Sequence, residues 1–574
     1  MYFFDLFALI AAILVIRYDQ NYALRWSRIL KFIAVGFALL IFNFAISFFH
    51  DSEAYGKSFN REYVVRNNGL FPFLAVDGYN SHQLNEKRRN ASSQDIKTVE
   101  QYVKNNQTDL NMSYYGKANG KNLIVIHLES LQMSSIDLKV NGQEVTPFLN
   151  SLFHSDSSLS FDNFYNEVGQ GRTSDAENLI DTSTFGLSQG SLFNQLGSSQ
   201  VFQALPGILQ QQAGYSSAVF HANNPLFYNR SNVYKNMGYQ NFISSDYFDN
   251  SKKNLATYGL KDKLLFKESV PYLERLEQPF YAKYLTVTNH VPYTLDKVDQ
   301  DANFKTSNSG SKVVDNYFIT NHYLDQSVQE FFTYLKTSGL YDNTMVVLYG
   351  DHYGISSTDY KALTAATGKE GSSWTDLDSQ NVQKVPLIIH IPGMTDGGVN
   401  HTYGGEIDVL PTIEHLMGVS TNNYLQLGQD LLSQNRSQLV VMRNGDWVSP
   451  TLASISKKIW DVQTKKEIKN LSAVQKQQVT ANSKAAEQKL NISDEMNERN
   501  LLRFYQNGFV KSKISSSDYS VKKTVNRLKT SSNNKNSTSL FAKNDKKSTY
   551  SDYKTDAPEM KTYRFRNLFE YKSN

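Results

Sequence analysis

Cysteine is absent from this chain of 574 residues. The protein therefore has no disulfide framework, no zinc–thiolate site and no cysteine nucleophile. Hydrophobicity is also low over the whole chain, with a mean hydropathy of -0.46, which excludes a membrane protein with spans throughout. Charged residues make up 20% of the chain and hydrophobic residues 40%. This is the composition of a globular protein that buries a large core.

The longest apolar run lies near the N-terminus, at residues 32–49, and carries no charge. At about 1.5 Å per residue it can just span a hydrocarbon core of about 30 Å. A weaker run at residues 2–16 contains Asp5, and the loop between the runs has four basic residues and one acid. By the positive-inside rule that loop is cytoplasmic, and the chain after Phe49 is outside. A signal peptide is the alternative, but no clear A-x-A cleavage site follows Phe49.

The middle of the chain alternates between strand and helix patterns. Residues 50–120 are polar and lean towards helix, which predicts an arm that carries the globular domain off the bilayer. Beyond them we predict strands at 122–130, 216–220, 280–287, 344–350 and 386–391, and helices at 313–336 and 407–417. This alternation predicts an α/β fold whose mixed or parallel sheet is covered by helices on both faces.

Ionisable residues follow several of the predicted strands. Glu129, His290 and the pair Asp351-His352 stand at strand ends, where open α/β sheets build their sites. A single residue of this kind can equally anchor a loop. His127 precedes Glu129 by two residues and lies on the same strand face, so it is either a substrate contact or a hydrogen-bonded core histidine.

The segment from 166 to 177, NEVGQGRTSDAE, predicts a tight turn followed by a helix. Its two glycines permit the turn, and Thr173, Ser174 and Asp175 supply N-cap chemistry. Thr173 would then lie at a helix N-terminus, a position that suits a phosphate. Read in isolation, the pattern also fits an ordinary loop ending in a helix cap.

A threonine hydroxyl needs help to act as a nucleophile, since its pKa is near that of water, roughly 15 to 16. Reaching pH 7 requires about 8 pKa units, or roughly 11 kcal/mol, and a helix dipole supplies only about 0.3–1 kcal/mol. A bound metal has the required effect. Glu129, His290 and the pair Asp351-His352 stand at strand ends, and the Thr173 turn joins them. Two carboxylates, an imidazole and an ionised Thr173 oxygen would form a site for one divalent ion, with oxygen ligands favouring Mn²⁺ or Mg²⁺ and the imidazole admitting Zn²⁺.

Seven motifs occur in collinear order across about residues 50 to 520 and carry a family resemblance. They are HLES at 127–130, GQGRTSD at 169–175, the stretch 221–230, YGLKDK at 258–263, TVTNHVPY at 286–293, YGDHYG at 349–354 and LLRFY at 501–505. Together they resemble the lipoteichoic acid synthases of Gram-positive bacteria, which belong to the alkaline phosphatase and sulfatase superfamily. The resemblance implies a sulfatase-like central sheet flanked by helices, preceded by one or two transmembrane helices.

The resemblance also implies roles for individual residues. Thr173 would be the nucleophile, and Glu129, Asp351 and His352 would bind Mn²⁺ together with the Thr173 oxygen. The phosphate and glycerol of the donor would be held by a second group of residues: His221, Tyr228, Arg230, His290 and, less directly, His127. Arg230 suits bidentate phosphate recognition, although read alone it would be a surface residue.

The chain departs from the family pattern in two respects. Asn223 and Tyr228 stand where the best-known pattern has Asp and Trp, so contacts to the glycerol end are expected to differ, as in a primase or another paralogue. Family members usually carry five transmembrane helices, whereas this chain has at most two, with the orientation expected of the last two. A shortened gene product or a start-site artefact would account for this.

These observations predict a membrane-anchored, extracellular glycerol-phosphate transferase. Its donor would be phosphatidylglycerol and its acceptor a glycolipid-anchored poly(glycerol phosphate) chain, with membrane lipids as partners and no nucleic acid. A phosphoethanolamine transferase or a sulfate- or phosphate-ester hydrolase of the same superfamily is the enzymatic alternative. A non-catalytic envelope protein that binds teichoic acid is the other, although the full set of site residues argues against it.

The predicted organisation has five parts. Residues 1–49 are the membrane segment, 50–120 the arm, 121–435 the catalytic domain, 436–520 a C-terminal subdomain and 521–574 a basic tail. The tail holds 13 Lys and Arg against 5 Asp and Glu and is rich in Ser, Asn and Lys, a composition that predicts disorder. It would be a solvated tail or a contact for phosphate polymer or the membrane surface.

Overall fold

A computed structural model describes residues 26–51, 65, 69–366, 374–507, 509, 511, 513–566 and 568–569. The chain divides into two compact units. The first is Met1–Ala91 with Gln189–Ser191, and the second is Ser92–Ser188 with Leu192–Asn574. The predicted weaker apolar run at residues 2–16 lies outside the described residues.

The described residues of the first unit form two long helices, α1 (Trp26–Asp51) and α2 (Leu70–Arg89). The apolar run at 32–49 lies within α1, so its helical conformation is confirmed. Across the part of the chain that the structure describes, no helix combines the length and apolarity needed to cross a membrane.

The second unit contains the other helices that the structure describes and the strands that are labelled below. Its helices are α3 (Ile96–Asn105), α4 (Pro147–Phe153), α5 (Thr173–Thr182), α6 (Leu192–Gln195), α7 (Leu205–Ala213), α8 (Arg230–Met237), α9 (Asp262–Leu273), α10 (Lys312–Thr337), α11 (Tyr360–Ala366), α12 (Asp376–Asn381), α13 (Val409–Met417), α14 (Ala473–Glu498), α15 (Val521–Asn533) and α16 (Leu540–Lys543). Because α3 buries Ile96 and Val99 in this unit, residues 92–120 belong to the globular part. The predicted arm does not extend to residue 120.

Eight strands form the central sheet. They are β1 (Asn122–Leu128), β2 (Ser158–Phe161), β3 (Ser216–Phe220), β4 (Asn241–Ile243), β5 (Phe280–Leu285), β6 (Thr344–Gly350), β7 (Leu387–His390) and β8 (Gly398–Asn400). Their spatial order is β8-β2-β7-β6-β1-β5-β3-β4. Only β7 runs antiparallel to its neighbours β6 and β2, and the other pairs are parallel. The predicted mixed sheet is confirmed, and each of the five predicted strands is present.

Helices cover both faces of this sheet because its central strands are apolar on both sides. On one face, Ile124 and Ile126 of β1 join a core with Leu324 and Val328 of α10. On the other face, Lys283 of β5 extends towards α5. Every residue of β1 and β6 is buried, so the carboxyl ends of these strands are held rigidly at one edge of the sheet.

A second, smaller sheet lies in the region predicted as a C-terminal subdomain. It is antiparallel and contains β9 (Val440–Val441), β10 (Trp447–Val448), β11 (Leu452–Ile455), β12 (Lys458–Asp461) and β13 (Lys466–Glu467). Trp447 is 1% exposed and its indole N–H donates to Ser483 of α14 at 3.1 Å. This contact fixes α14 beside the small sheet.

The basic C-terminal segment is ordered in its described part, so the prediction of disorder is wrong there. Val525 and Leu528 of α15 and Tyr553 are buried in the same core cluster as the central sheet. The Lys267 ammonium of α9 donates to the carbonyls of Tyr550 and Tyr553 at 2.7 and 2.6 Å. The composition of the segment did not reveal this order, because a few well-spaced apolar side chains anchor a segment that is otherwise polar.

Candidate active site

The turn before α5 places Thr173 as the first helical residue, with its side chain 9% exposed. The helix N-cap is Arg172, which has φ 50° and gives no side-chain cap hydrogen bond. The predicted capping roles of Thr173, Ser174 and Asp175 are therefore wrong. The Ser174 hydroxyl instead donates backwards to the carbonyl of Gly171 at 2.8 Å. Thr173 thus keeps a hydroxyl that is not used for capping.

Gly169 and Gly171 are required for close approach and not for a left-handed turn, since neither has a positive φ. The Asp175 carboxylate accepts hydrogen bonds from their N–H groups at 3.0 and 2.9 Å. A Cβ on Gly171 would lie 2.1 Å from Oδ1 of Asp175. The carboxylate fills the space that a side chain would need, and it shapes the turn that presents Thr173.

Four predicted site residues meet at the carboxyl ends of β1 and β6. The Thr173 hydroxyl lies 3.4 Å from Nε2 of His352. That nitrogen is 3.2 Å from Oδ2 of Asp351 and 3.8 Å from Oε1 of Glu129. Since parallel strands end at the same sheet edge, residues separated by more than 200 positions converge, as predicted.

His127 belongs to the same cluster. Its Nε2 lies 2.8 Å from Oδ2 of Asp351, and ligand atoms of His127, Glu129 and Asp351 all lie within 4.8 Å of one another. The other ring nitrogen, Nδ1, is 2.7 Å from the Tyr349 hydroxyl. This arrangement, in which a second partner orients the ring, is typical of a metal-ligating histidine. The structure therefore offers His127 as a ligand candidate in addition to the predicted set.

The electrostatics of the cluster fit a bound cation. Burial, and then the nearby Asp351 charge, raise the pKa of Glu129 well above its usual range. Burial acts in the same direction on Asp351, but His352 and His127 outweigh it and hold the pKa of Asp351 low. Oδ2 of Asp351 and Nε2 of His127 are both buried and lie 2.8 Å from each other. Two adjacent carboxylates beside imidazole nitrogens are a donor set that fits a divalent metal ion.

Arg230 is 1% exposed, so its reading as a surface residue is wrong. Its Nε and Nη2 both donate to Oε1 of Glu177, at 3.0 and 2.8 Å. Glu177 lies one turn beyond Thr173 on α5, and it also accepts from the Tyr234 hydroxyl. Because the guanidinium has five N–H donors, it retains donors for a phosphate while Glu177 fixes its position.

The other predicted substrate residues lie on two neighbouring segments. His221 follows β3 and is 4% exposed. Its Nε2 has no hydrogen-bond partner, and burial, followed by the Arg230 charge, lowers its pKa to about 3. The Tyr228 ring lies 5.1 Å from the Arg230 guanidinium, and its backbone is left-handed, with φ 55°. A neutral imidazole and a ring-stacked cation are therefore held side by side.

His290 follows β5 and is only partly buried. Its Nδ1 lies 2.8 Å from the carbonyl of Val291, and its ring centroid lies 4.0 Å from that of Tyr258. Burial lowers the pKa of His290, against the opposing effects of the hydrogen bond to the Val291 carbonyl and of the Asp351 charge. The ring is held in position by its packing on Tyr258.

A polar network beneath α5 was not predicted from the sequence. The Lys283 ammonium donates to Asp181 at 2.9 Å, and the hydroxyls of Tyr239 and Tyr281 also donate to that carboxylate. Glu177 and Asp181 follow Thr173 at steps of four residues, so they continue one helix face. That spacing was available in the sequence. Their partners on β5 and before β4 could be identified only from the fold.

Comparisons with known proteins agree with this geometry. Residues 121–419 match the Sulfatase family, and residues 1–90 match the Lipoteichoic acid synthase N-terminal domain. The chain is 41% identical over 519 residues to Lipoteichoic acid synthase 1 of Bacillus subtilis, covering 90% of this chain and 79% of the relative. It belongs to the lipoteichoic acid synthase family.

Other lipoteichoic acid synthases are similar to a comparable degree. The Staphylococcus aureus enzyme is 40% identical over 489 residues, covering 85% of this chain and 74% of the relative. The crystal structure of the lipoteichoic acid synthase LtaP from Listeria monocytogenes superposes with a TM-score of 0.62 at 27% identity, covering 70% of this chain and 98% of that one. The predicted family and the α/β fold are thus confirmed.

Proposed function

We propose that this lipoteichoic acid synthase transfers glycerol phosphate from phosphatidylglycerol to a glycolipid-anchored glycerol-phosphate chain. The observation that carries the proposal is the position of the Thr173 hydroxyl, 3.4 Å from His352 and beside the cluster of His127, Glu129 and Asp351. The family match supports the same activity. Mn²⁺ is the proposed metal, because the donor set combines carboxylates with imidazole.

The first step forms a bond between the Thr173 oxygen and the phosphorus of the donor. The Thr173 hydroxyl gives up its proton, the bond from phosphorus to the diacylglycerol oxygen breaks, and that oxygen takes up a proton as diacylglycerol leaves. When bound, the divalent cation supplies the positive charge that stabilises an ionised Thr173 oxygen. Arg230, fixed by Glu177, is placed to donate to the phosphate oxygens. The neutral ring of His221, whose Nδ1 donates to the carbonyl of Leu285 at 3.3 Å, would line the phosphate pocket beside it.

The second step returns Thr173 to its starting state. The terminal hydroxyl of the acceptor attacks the same phosphorus, loses its proton, and the bond to Thr173 breaks. We assign the glycerol end of the pocket to Tyr228 and His290, since both rings lie at the outer side of the cluster and are less buried than Arg230. An acceptor held in near-attack geometry gains an effective molarity of about 10⁵–10⁸ M and so outcompetes water.

Location forms part of the proposal. The family match over residues 1–90 includes the apolar run at 32–49. We propose that this run anchors the chain in the cell membrane and that the second unit lies outside the cell. Protease added to intact cells should cleave the chain beyond residue 50 and spare residues 17–31. Protection of the second unit would contradict the location.

Separation of reaction products tests the activity. The full-length protein in vesicles receives labelled phosphatidylglycerol and a glycolipid acceptor, and Thr173→Ala in the same vesicles is the control. Labelled glycerol phosphate attached to the glycolipid is the expected product, as a ladder for a synthase and as a single addition for a primase. Free glycerol phosphate and diacylglycerol alone, with acceptor present, would identify a hydrolase and overturn the proposal.

A further inference from the structure

Four exposed large apolar side chains lie beside the candidate active site. In the described part of the second unit they lie on three segments next to the residues that we assign to the substrate, and we call them the apolar rim. Their exposed fractions range from 39% to 70%: Leu226, Phe227, Tyr258 and Val291. Single exposed apolar residues are normal on a soluble surface. A group of this size around a site marks an interaction surface.

Hydrogen bonds join the three segments. The Leu260 N–H donates to the carbonyl of Ala222 at 3.1 Å, which connects the segment that carries Tyr258 to the segment that carries Leu226. The side-chain hydroxyls of Thr257 and Thr294 lie 3.2 Å apart and connect the Tyr258 segment to the loop that carries Val291. The segments of the rim are therefore neighbours on one surface.

The rim contacts the residues that we assign to the substrate. The Phe227 ring lies 5.9 Å from the Arg230 guanidinium. Tyr258 packs on His290 with ring centroids 4.0 Å apart, and Val291 is the next residue in the chain. The apolar rim is thus adjacent to the side chains that we assign to the phosphate. Polar residues line the inside of the site, and apolar residues surround its opening.

The charge on these segments is positive. Lys252, Lys253 and Lys297 are exposed on the segments 252–258 and 291–298. Their one acid, Asp296, lies 2.9 Å from the Lys261 ammonium, which also pairs with Asp299 and Glu559. The two segments therefore carry three exposed lysines against one carboxylate. The segment 222–229 carries no charge. Apolar side chains flanked by lysines match an anionic lipid surface, where the hydrophobic groups enter the interface and the cations meet head groups.

We infer that the apolar rim docks the second unit on an anionic lipid bilayer, with the mouth of the site facing the membrane. The inference rests on the proposed function, because a donor that keeps its acyl chains in the bilayer must present its phosphate to Thr173, which is only 9% exposed. Docking by the rim brings Arg230 and Thr173 to the head-group level without extracting the lipid. Neither a soluble partner protein nor a second copy of the chain requires flanking cations.

The absence of cysteine makes the test direct. Leu226→Cys and Val291→Cys each introduce one site for an environment-sensitive fluorophore in the full-length protein, reconstituted in vesicles of phosphatidylglycerol and phosphatidylcholine. Val474→Cys is the matched control, because Val474 is 74% exposed and starts α14, which packs beside the small sheet. Quenching by lipids that carry a doxyl group on the acyl chain reports contact with the bilayer.

The rim labels should be quenched at least threefold more strongly than the Val474 label, and the difference should shrink when phosphatidylglycerol is replaced by phosphatidylcholine. Equal quenching at rim and control would overturn the inference. A blue shift of the rim labels in lipid-free detergent that grows with protein concentration would also overturn it and identify a second copy as the occupant.

The readout is independent of turnover. The same labels on a Thr173→Ala background should give the same quenching, since docking does not use the nucleophile. Quenching at the rim in a protein that fails to transfer glycerol phosphate would leave the docking surface standing while the proposed function falls. Transfer of glycerol phosphate without preferential quenching at the rim would support the proposed function and overturn the docking surface.

Discussion

Arg230 and Glu177 form a buried ion pair one helical turn beyond Thr173, with two hydrogen bonds to the same carboxylate oxygen at 3.0 and 2.8 Å. Their side chains are 1% and 0% exposed. Burial would raise the pKa of Glu177, but Arg230 and Lys283 outweigh it and lower the pKa to about 2. The carboxylate is therefore charged at neutral pH and holds the guanidinium in place.

Removing one charge of this pair should destabilise the fold. Glu177→Gln leaves Arg230 buried with its charge unpaired, which costs about 3–5 kcal/mol in comparable pairs. Glu177→Gln combined with Arg230→Met should cost less than the sum of the two single changes. Urea unfolding of the four proteins measures the cycle. A loss below about 1 kcal/mol for Glu177→Gln, or simple additivity, would show that the pair is not coupled.

Gly171 tests the shape of the nucleophile turn. In Gly171→Ala the new Cβ would meet Oδ1 of Asp175 at 2.1 Å, so the turn or the carboxylate must move. We expect a loss of about 1–3 kcal/mol from overpacking together with a strong loss of turnover, because Thr173 is two residues away. Gly78→Ala is the control, since a Cβ there meets nothing within 4 Å. Retained turnover in Gly171→Ala would remove Asp175 from the account of the turn.

Metal content distinguishes the ligands. Chelation should abolish activity, and Mn²⁺ should restore it better than Ca²⁺, because imidazole nitrogen is a poor ligand for Ca²⁺. Elemental analysis of Glu129→Ala, Asp351→Ala and His352→Ala should show reduced metal stoichiometry. His127→Ala should show the same reduction if its Nε2 is a ligand. Unchanged stoichiometry in Glu129→Ala would place the ion elsewhere.

Glu414 gives a prediction for the pH dependence of stability. Burial raises its pKa to about 8, against an opposing hydrogen bond from Gln426, while its ordinary value is 4.5. Between these values the folded state holds a proton that the unfolded state has released. Stability therefore falls as pH rises, by about 1.4 kcal/mol per unit from this group.

Glu414→Gln should remove that slope. The amide oxygen of the new side chain can still accept from Gln426, whose amide donates at 2.7 Å. The variant should gain stability over the parent as pH rises from about 5 to about 8, measured by urea unfolding at several pH values. A difference that stays constant across this range would mean that Glu414 titrates normally.

The sequence predicted the central sheet well because buried parallel strands leave a plain signal. β1 and β6 are continuous apolar runs that end in Glu129 and Asp351. Strand ends of this kind converge by topology, so the meeting of Glu129, Asp351 and His352 followed from local patterns, whereas the place of His127 in the same cluster did not. The turn at Thr173 was placed correctly for the same reason, since a glycine-containing loop before an apolar helix is a local feature.

Long-range contacts were not predictable from local patterns. Whether Arg230 is buried depends on Glu177, which lies 53 residues earlier, and the order of the C-terminal segment depends on Lys267. The composition of residues 521–574 describes that segment alone and carries no information about the surface against which the segment packs. The predicted capping role of Asp175 was wrong for a different reason. Gly169 and Gly171 leave room for the Asp175 carboxylate, which packs against the turn and does not cap the helix.

The central claim is that the Thr173 oxygen carries the transferred group. Thr173→Ala should retain the fold within about 1 kcal/mol, because the hydroxyl makes no capping bond and substitutions without such a feature have small effects. This variant is therefore a valid negative control for the chemistry.

The most direct test is mass spectrometry of the full-length protein in vesicles, quenched in acid during turnover and digested. With phosphatidylglycerol and no acceptor, the peptide containing Thr173 should gain the mass of one glycerophosphoryl group. The adduct should disappear when the glycolipid acceptor is added, and it should be absent from Thr173→Ala. An unmodified Thr173 peptide throughout turnover, or the adduct on another residue, would contradict the account.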